Sequence, residues 1–198
     1  MKKHYYTLFL LAFIQTAFAQ QQVADSGTFL LHKFQKNIGK EKFTAYSNGG
    51  VVSYDVDFKY LDRGSPVSLK ASMQLTPALE PIAFRIKGGT SRFSAVNDSV
   101  VIHNKTAYIK VDDSSFSKLL KPASFTIAGY SPATAQMLLV QYWKKHNRPA
   151  ILNMLPSGSV QIKKDGNDTL SFNNNDVVME RCVFKGLIWG NEVLWDVA

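Results

Sequence analysis

Cysteine is nearly absent from the 198-residue chain: Cys182 stands alone, so neither an intramolecular disulfide nor a cysteine zinc cluster can form. Histidine is equally sparse. His4, His32, His103 and His146 lie far apart with no His-x-His or HExxH spacing, and a metal site needs clustered ligands. No G-x-S-x-G elbow and no glycine-rich phosphate loop occurs, which removes the serine-hydrolase and nucleotide signatures. No metal, cofactor or catalytic residue is therefore expected. Apolar runs all fall short of the roughly 20 residues that span a bilayer, so the chain is not expected to be membrane-spanning. Acidic residues number 15 against 23 basic ones, a net charge of +8. The lysines are scattered; the densest groups are Lys36-Lys40-Lys42, Lys144-Lys145-Arg148 and Lys163-Lys164. No block of like charge marks a nucleic-acid partner, and a solvated surface is the reading.

What is present points to an exported globular domain. Apolar residues make up 45% and charged residues 19%, ordinary values for a folded protein. Lys2 and Lys3 precede the apolar run Leu8 to Ile14 and the small-x-small sequence Ala17-Phe18-Ala19, the pattern of a secretory signal peptide. Residues 1–19 are then a leader and 20–198 a single domain, delivered to the periplasm or beyond. Taking Lys2 and Lys3 from the 23 basic residues leaves 21 against 15 acidic ones, a net charge of +6. Cys182 is far from the cleavage site, so no lipid anchor is expected there.

From Thr28 onward apolar and polar residues alternate with period two, the mark of half-buried strands. Val52, Tyr54, Val56, Phe58 and Tyr60 alternate with Ser53, Asp55, Asp57 and Lys59. Strands are predicted over Thr28–Phe34, Glu41–Ser47, Val51–Leu61, Val67–Leu75, Ile82–Lys87, Ser91–Ala95, Ser99–His103 and Ala107–Val111. After a less regular stretch with a further strand at Ser124–Ala128, they resume over Ser159–Lys163, Thr169–Phe172, Val177–Lys185 and Leu187–Trp195. Turns are read at Asn37-Ile38-Gly39, Asn48-Gly49-Gly50, Asp62 to Pro66, Gly88-Gly89, Asn104-Lys105, Asp165-Gly166-Asn167 and Asn173-Asn174-Asn175. Ser131-Pro132 starts the one long helix, about residues 132–146, with the serine oxygen as cap and the proline in the first turn. The fold class is mainly β: a large antiparallel sheet of about 10–11 strands that curls, because sheets of that size do not stay flat, and wraps the helix.

Inside this pattern Asp55 with Asp57, and Asp112 with Asp113, read as solvated carboxylates, and Cys182 as a buried inert thiol. The sequons at Asn97, Asn104 and Asn167 fall in predicted turns. Tyr142 and Trp143 on the helix, with Trp189 and Trp195 on the last strand, are candidates to line an apolar ligand cavity between helix and sheet, although core packing accounts for large rings there as well. A carrier of a hydrophobic small molecule is one function that follows. His32, His103 and Asp112 would make an enzyme only by converging in space.

Several local sequences share a further property. Phe29 to Phe34 leading to Ile38-Gly39-Lys40-Glu41, then Tyr54 to Phe58 and Asp62-Arg63-Gly64-Ser65-Pro66, resemble the N-terminal β-rich region of secreted amidohydrolase-family proteins of Bacteroidetes. Thr90 to Ser94, Gly129-Tyr130-Ser131-Pro132, Leu155 to Val160 and Leu194-Trp195-Asp196 extend the resemblance over most of the domain. It implies an accessory or interaction module, itself without catalytic residues, whose partner is a downstream or adjacent metal-dependent hydrolase acting on C–N bonds. It also implies that the chain is a truncated piece, because the hydrolase barrel and its metal ligands would follow Ala198. A stand-alone periplasmic carrier, analogous to lipoprotein carriers that curl a sheet around helices, is the alternative.

Overall fold

A computed structural model describes residues 22–90, 94–127, 131–172, 174–187 and 190–197. The predicted leader, and the pieces of motif at residues 91–93 and 128–130, lie outside the described residues.

The alternation becomes an antiparallel meander of β1 (Gln22–Lys33), β2 (Lys36–Asn48), β3 (Val51–Asp62), β4 (Ser65–Leu75), β5 (Pro81–Gly89), β6 (Ala95–His103), β7 (Thr106–Val111) and β8 (Ser114–Leu119), each paired with the next. The second half supplies β9 (Ser124–Thr126), the helix α1 (Ala133–Lys145), β10 (Leu152–Leu155), β11 (Ser159–Phe172), β12 (Asn175–Leu187) and β13 (Gly190–Val197). These strands form a second sheet in the order β13-β12-β11-β10-β9. Among the described strands only β9 and β10 run parallel, because α1 lies between them as the crossover that parallel pairing requires. The protein is mainly β, with a large antiparallel sheet and, among the described residues, one helix, and no described helix is long and apolar enough to cross a membrane. Thirteen strands are described, in two hydrogen-bonded sheets.

Some local expectations change. The first hairpin turns at Phe34 and Gln35, both at positive φ (50° and 62°), while Asn37-Ile38-Gly39 lies within β2. Gly88-Gly89 ends β5. The irregular stretch after Asp112 contains β8. Asp165-Gly166-Asn167 is no turn: β11 runs through it, and a register shift between Lys164 and Gly166 absorbs Asp165 as a bulge. Of the sequons, Asn97 and Asn167 therefore sit in strands, and Asn104 in a turn. Gly39 is needed where β2 closely approaches its neighbour β3, since a Cβ there would stand 2.1 Å from the Lys59 carbonyl oxygen.

One face of the meander is the core. Phe43 and Ala45, Tyr54, Val56 and Phe58, Leu69, Ala71 and Met73, and Phe84 and Ile86 are all buried, and each alternates with an outward polar residue. The helix lies against this face and against the second sheet. Leu138, Leu139 and Val140 are fully buried, and Tyr142 meets Phe125 of β9 with ring centroids 5.2 Å apart. At its C-terminal end Lys145 donates to the Pro77 carbonyl at 2.7 Å and His146 lies 2.9 Å from the Ala78 carbonyl, which ties α1 to the β4–β5 connection.

The N-terminus of α1 differs from expectation. Ser131 does not cap it; its hydroxyl turns to the Pro132 carbonyl at 3.4 Å. The fully buried Glu41 of β2 takes the role, accepting from the Ala133 N–H at 2.7 Å, the Thr134 N–H at 2.8 Å and the Thr134 hydroxyl. A helix leaves its first N–H groups without partners, and here a strand 92 residues away in sequence satisfies them.

Candidate functional site

A concave feature among the described residues lies outside the core. On the outward face of the meander, Lys42, Asp57, Lys70 and Lys87 stand side by side on β2, β3, β4 and β5. The next outward row along the strands is Thr44, Asp55, Ser72 and Arg85. The two rows enclose an open trough of about 490 Å³. Lys42, Asp55, Lys70, Arg85 and Lys87 are exposed and make no ion pair or side-chain hydrogen bond among the described residues, whereas Asp57 meets Lys59 at 3.5 Å. A shallower depression of about 240 Å³ shares Ser72 and Arg85 and continues to Ser99 and Val101 on β6.

Asp55 and Asp57 point outward, as the alternation predicts, but neighbouring strands surround them with cations. The sequence reading missed Lys70, Arg85 and Lys87, because they are gathered from separate strands and never adjoin in the chain. A smaller depression of about 170 Å³ between β8 and β10 holds Lys118. Burial lowers the Lys118 amine, with Lys121 adding to the effect, and that amine is already bound to the Pro156 carbonyl at 2.5 Å.

Beneath α1, among the described residues, there is no comparable space. Pro132, Thr134, Ala135 and Leu138 face Tyr54, Met73 and Phe84 across a residual void of about 10 Å³, which admits one water at most. The three aromatic candidates among the described residues do not converge. Tyr142 and Trp143 are buried core, Trp143 donating to the Pro149 carbonyl at 3.2 Å. Trp195 lies opposite Arg181 on the outward side of β13, 44% exposed, and donates to Asp168 at 2.6 Å. Trp189 lies outside the described residues. The reason is strand parity: Trp195 shares a face with Arg181, whose guanidinium is held by Asp165 and Asp168, and the core face belongs to Glu180, Cys182 and Phe184.

Glu180 collects two of the lysine groups that read as merely solvated. Its Oε2 lies 3.1 Å from Arg148, 3.5 Å from Lys164 and 3.9 Å from Lys144, and Lys144 also meets Asp196 at 2.9 Å. Burial pushes the Glu180 carboxyl up, but the three cations outweigh it and hold it below the ordinary value of 4.5. The cluster fastens the C-terminal end of α1 to β11, β12 and β13.

Beside it the Cys182 thiol is fully buried and raised, first by burial and then by Glu180. A raised thiol carries little thiolate. Cys182 is therefore expected to resist an aromatic disulfide reagent in native buffer and to react fully in denaturant; fast stoichiometric labelling of the folded protein would contradict the inert-thiol reading. Among the described residues no three His, Cys, Asp or Glu side chains come together as a metal site. His32 is on β1, His103 ends β6, and Asp112 follows β7, where its N–H donates to Asp98.

Comparison with known proteins adds little. No protein-family profile matches the chain, and no curated protein is similar to it. Among solved structures, a β-barrel-like protein of the domain of unknown function DUF1849 from Brucella abortus is similar at 7% sequence identity, with a TM-score of 0.45 over 81% of this chain and 77% of that one.

Proposed function

We propose that this β-rich domain is an exported, non-catalytic binding module that engages its ligand on the outer face of the meander, and that it serves as an accessory to a metal-dependent amidohydrolase. The observation that carries the binding role is the contrast between the two faces: about 10 Å³ of void beneath α1 against about 490 Å³ of open trough on β2–β5. Binding needs a surface that a ligand can reach. The accessory role comes from the resemblance of the strand and turn motifs, and those motifs have structural work to do in this fold. Ile38-Gly39-Lys40-Glu41 contains both the glycine of the close β2–β3 approach and the cap of α1.

A carrier of a hydrophobic ligand would have to open the core. Lifting α1 breaks the three hydrogen bonds to Glu41 and exposes Leu138, Leu139, Tyr142 and Trp143. The two readings separate in one titration with a neutral naphthylamine probe that fluoresces in apolar surroundings, read beside native mass spectrometry of the purified chain. Neither saturable probe uptake nor a co-purifying lipid is expected. Stoichiometric uptake displaced by a lipid would replace the outer-face reading with the carrier.

A further inference from the structure

We propose that the outer trough binds a linear acidic oligosaccharide, one carrying carboxylate or sulfate groups on a hydroxyl-rich backbone. The proposal rests on the outer-face reading and adds the chemistry of the ligand. Lys42, Lys70, Arg85 and Lys87 supply four cations around one concavity, none of them paired within the described protein. Lys70 and Lys87 are direct cross-strand partners, and like charges in that position destabilise a sheet. Stability alone gives no reason for the pair; an anion between them does.

The rest of the trough selects among anions. Thr44 and Ser72 place hydroxyls between the cations, and the carboxylates of Asp55 and Asp57 share the same walls. A polyphosphate backbone has no donors and meets those carboxylates as like charges. A sugar chain carries its charges further apart, and its hydroxyls donate to Asp55 and Asp57 while its acid groups reach the cations. No aromatic residue lines the trough, so the stacking platform that single-stranded nucleic acid uses is missing. The cations are set around a recess, which suits a narrow chain and not a flat bilayer. The row from Lys42 to Lys87 crosses three strand spacings, roughly 14 Å, and the depression toward Ser99 continues it across β6. A chain of several sugars laid across the strands fits this shape.

The test is a binding titration of the full chain at low salt, with a uronate oligomer in one arm and a sulfated oligomer in the other. A neutral oligosaccharide of equal length, polyphosphate and duplex DNA complete the panel. Saturable binding of either acidic oligomer, weakened by salt, is the expected result. Lys70→Ala with Lys87→Ala is expected to weaken it by about tenfold or more, with a melting temperature equal to or above that of the parent because the like-charge pair is gone. Arg85→Gln tests an independent position and is expected to act in the same direction. Lys163→Ala with Lys185→Ala removes the same charge from the second sheet and is expected to leave binding intact. Equal loss in both double variants would reduce the effect to net charge and overturn the proposal. Tighter binding of polyphosphate or DNA would overturn it too. Binding of the neutral sugar alone, lost in the Lys70/Lys87 variant, would overturn the acidic class and keep the outer-face reading. Failure of the whole panel together with uptake of the neutral apolar probe would overturn both.

Discussion

Glu180→Gln is expected to lower the unfolding free energy by about 2–3 kcal/mol at neutral pH, near or just under the range for breaking a buried ion pair. The substitution keeps the side chain's size and removes its charge, leaving Arg148, Lys164 and Lys144 around a neutral amide. The loss stays at the low end because Arg148 and Lys164 are 45% and 40% exposed and recover water, and because Lys144 keeps Asp196. Dependence on pH separates charge from packing. The folded carboxyl is held below 4.5, so between that ordinary value and the lowered one the unfolded chain binds more protons, and stability falls as the pH falls. The contribution is complete above about 4.5 and is lost as acid passes through the folded value. Glutamine has nothing to titrate. Urea unfolding of both proteins from pH 7 downward should therefore show a gap that narrows toward acid; a gap of constant size would assign the loss to packing.

The same cluster shows where sequence reasoning reaches and where it stops. Burial of Cys182 and the inward parity of Glu180 follow from alternation along one strand, and both are visible in Val178 to Phe184. The cations that make Glu180 tolerable in the core come from the end of α1 and from β11, and their meeting depends on how the helix lies across the second sheet. Local pattern carries no information on that angle. Asp165, Gly166 and Asn167 also read as a turn signal, yet β11 runs through them because pairing with β12 continues on both sides of the bulge. Long-range pairing overrode turn chemistry there.

The outer trough was illegible for a related reason. Register across a tight hairpin follows from its turn, so the pairing of Lys42 with Asp57 through Asn48-Gly49-Gly50-Val51, and of Asp57 with Lys70 through Arg63-Gly64, is countable from the chain. The β4–β5 connection is longer, and a register shift lies between Gln74 and Leu75. Counting back from Leu75 opposite Pro81 without the shift sets Lys70 against Ile86, a core residue. The shift sets it against Lys87 instead. A slip of one residue exchanges the two faces of a strand, so the cationic row exists only once that irregularity is known. The aromatic candidates, by contrast, were conspicuous by size, and size mostly reports core filling: Tyr142 and Trp143 are buried for that reason.

Glu41→Ala is expected to be the most damaging single change, about 4 kcal/mol, from three donors left without an acceptor at about 1–3 kcal/mol each, the lost helix cap included. The Ala133 N–H, the Thr134 N–H and the Thr134 hydroxyl all lose their acceptor at once. Thr134 is 1% exposed, so water cannot replace the carboxylate without opening the core. Ser131 cannot take over while its hydroxyl faces the Pro132 carbonyl. Glu41→Gln keeps one acceptor oxygen but presents an NH₂ group to a donor, and is expected to lose about 2 kcal/mol. Thr134→Val removes only the hydroxyl and should lose about 1 kcal/mol. A double-mutant cycle between positions 41 and 134, read by urea unfolding, is expected to show coupling of about 1 kcal/mol or more. Strict additivity would mean that Glu41 acts through its own strand and not through the helix. Hydrogen exchange locates the effect: in Glu41→Gln the amides of α1 should lose protection while those of β3 and β4 keep theirs, because the carboxylate joins the helix to a sheet that is otherwise complete without it. A loss of protection spread evenly over the meander would instead make Glu41 part of the sheet's own stability.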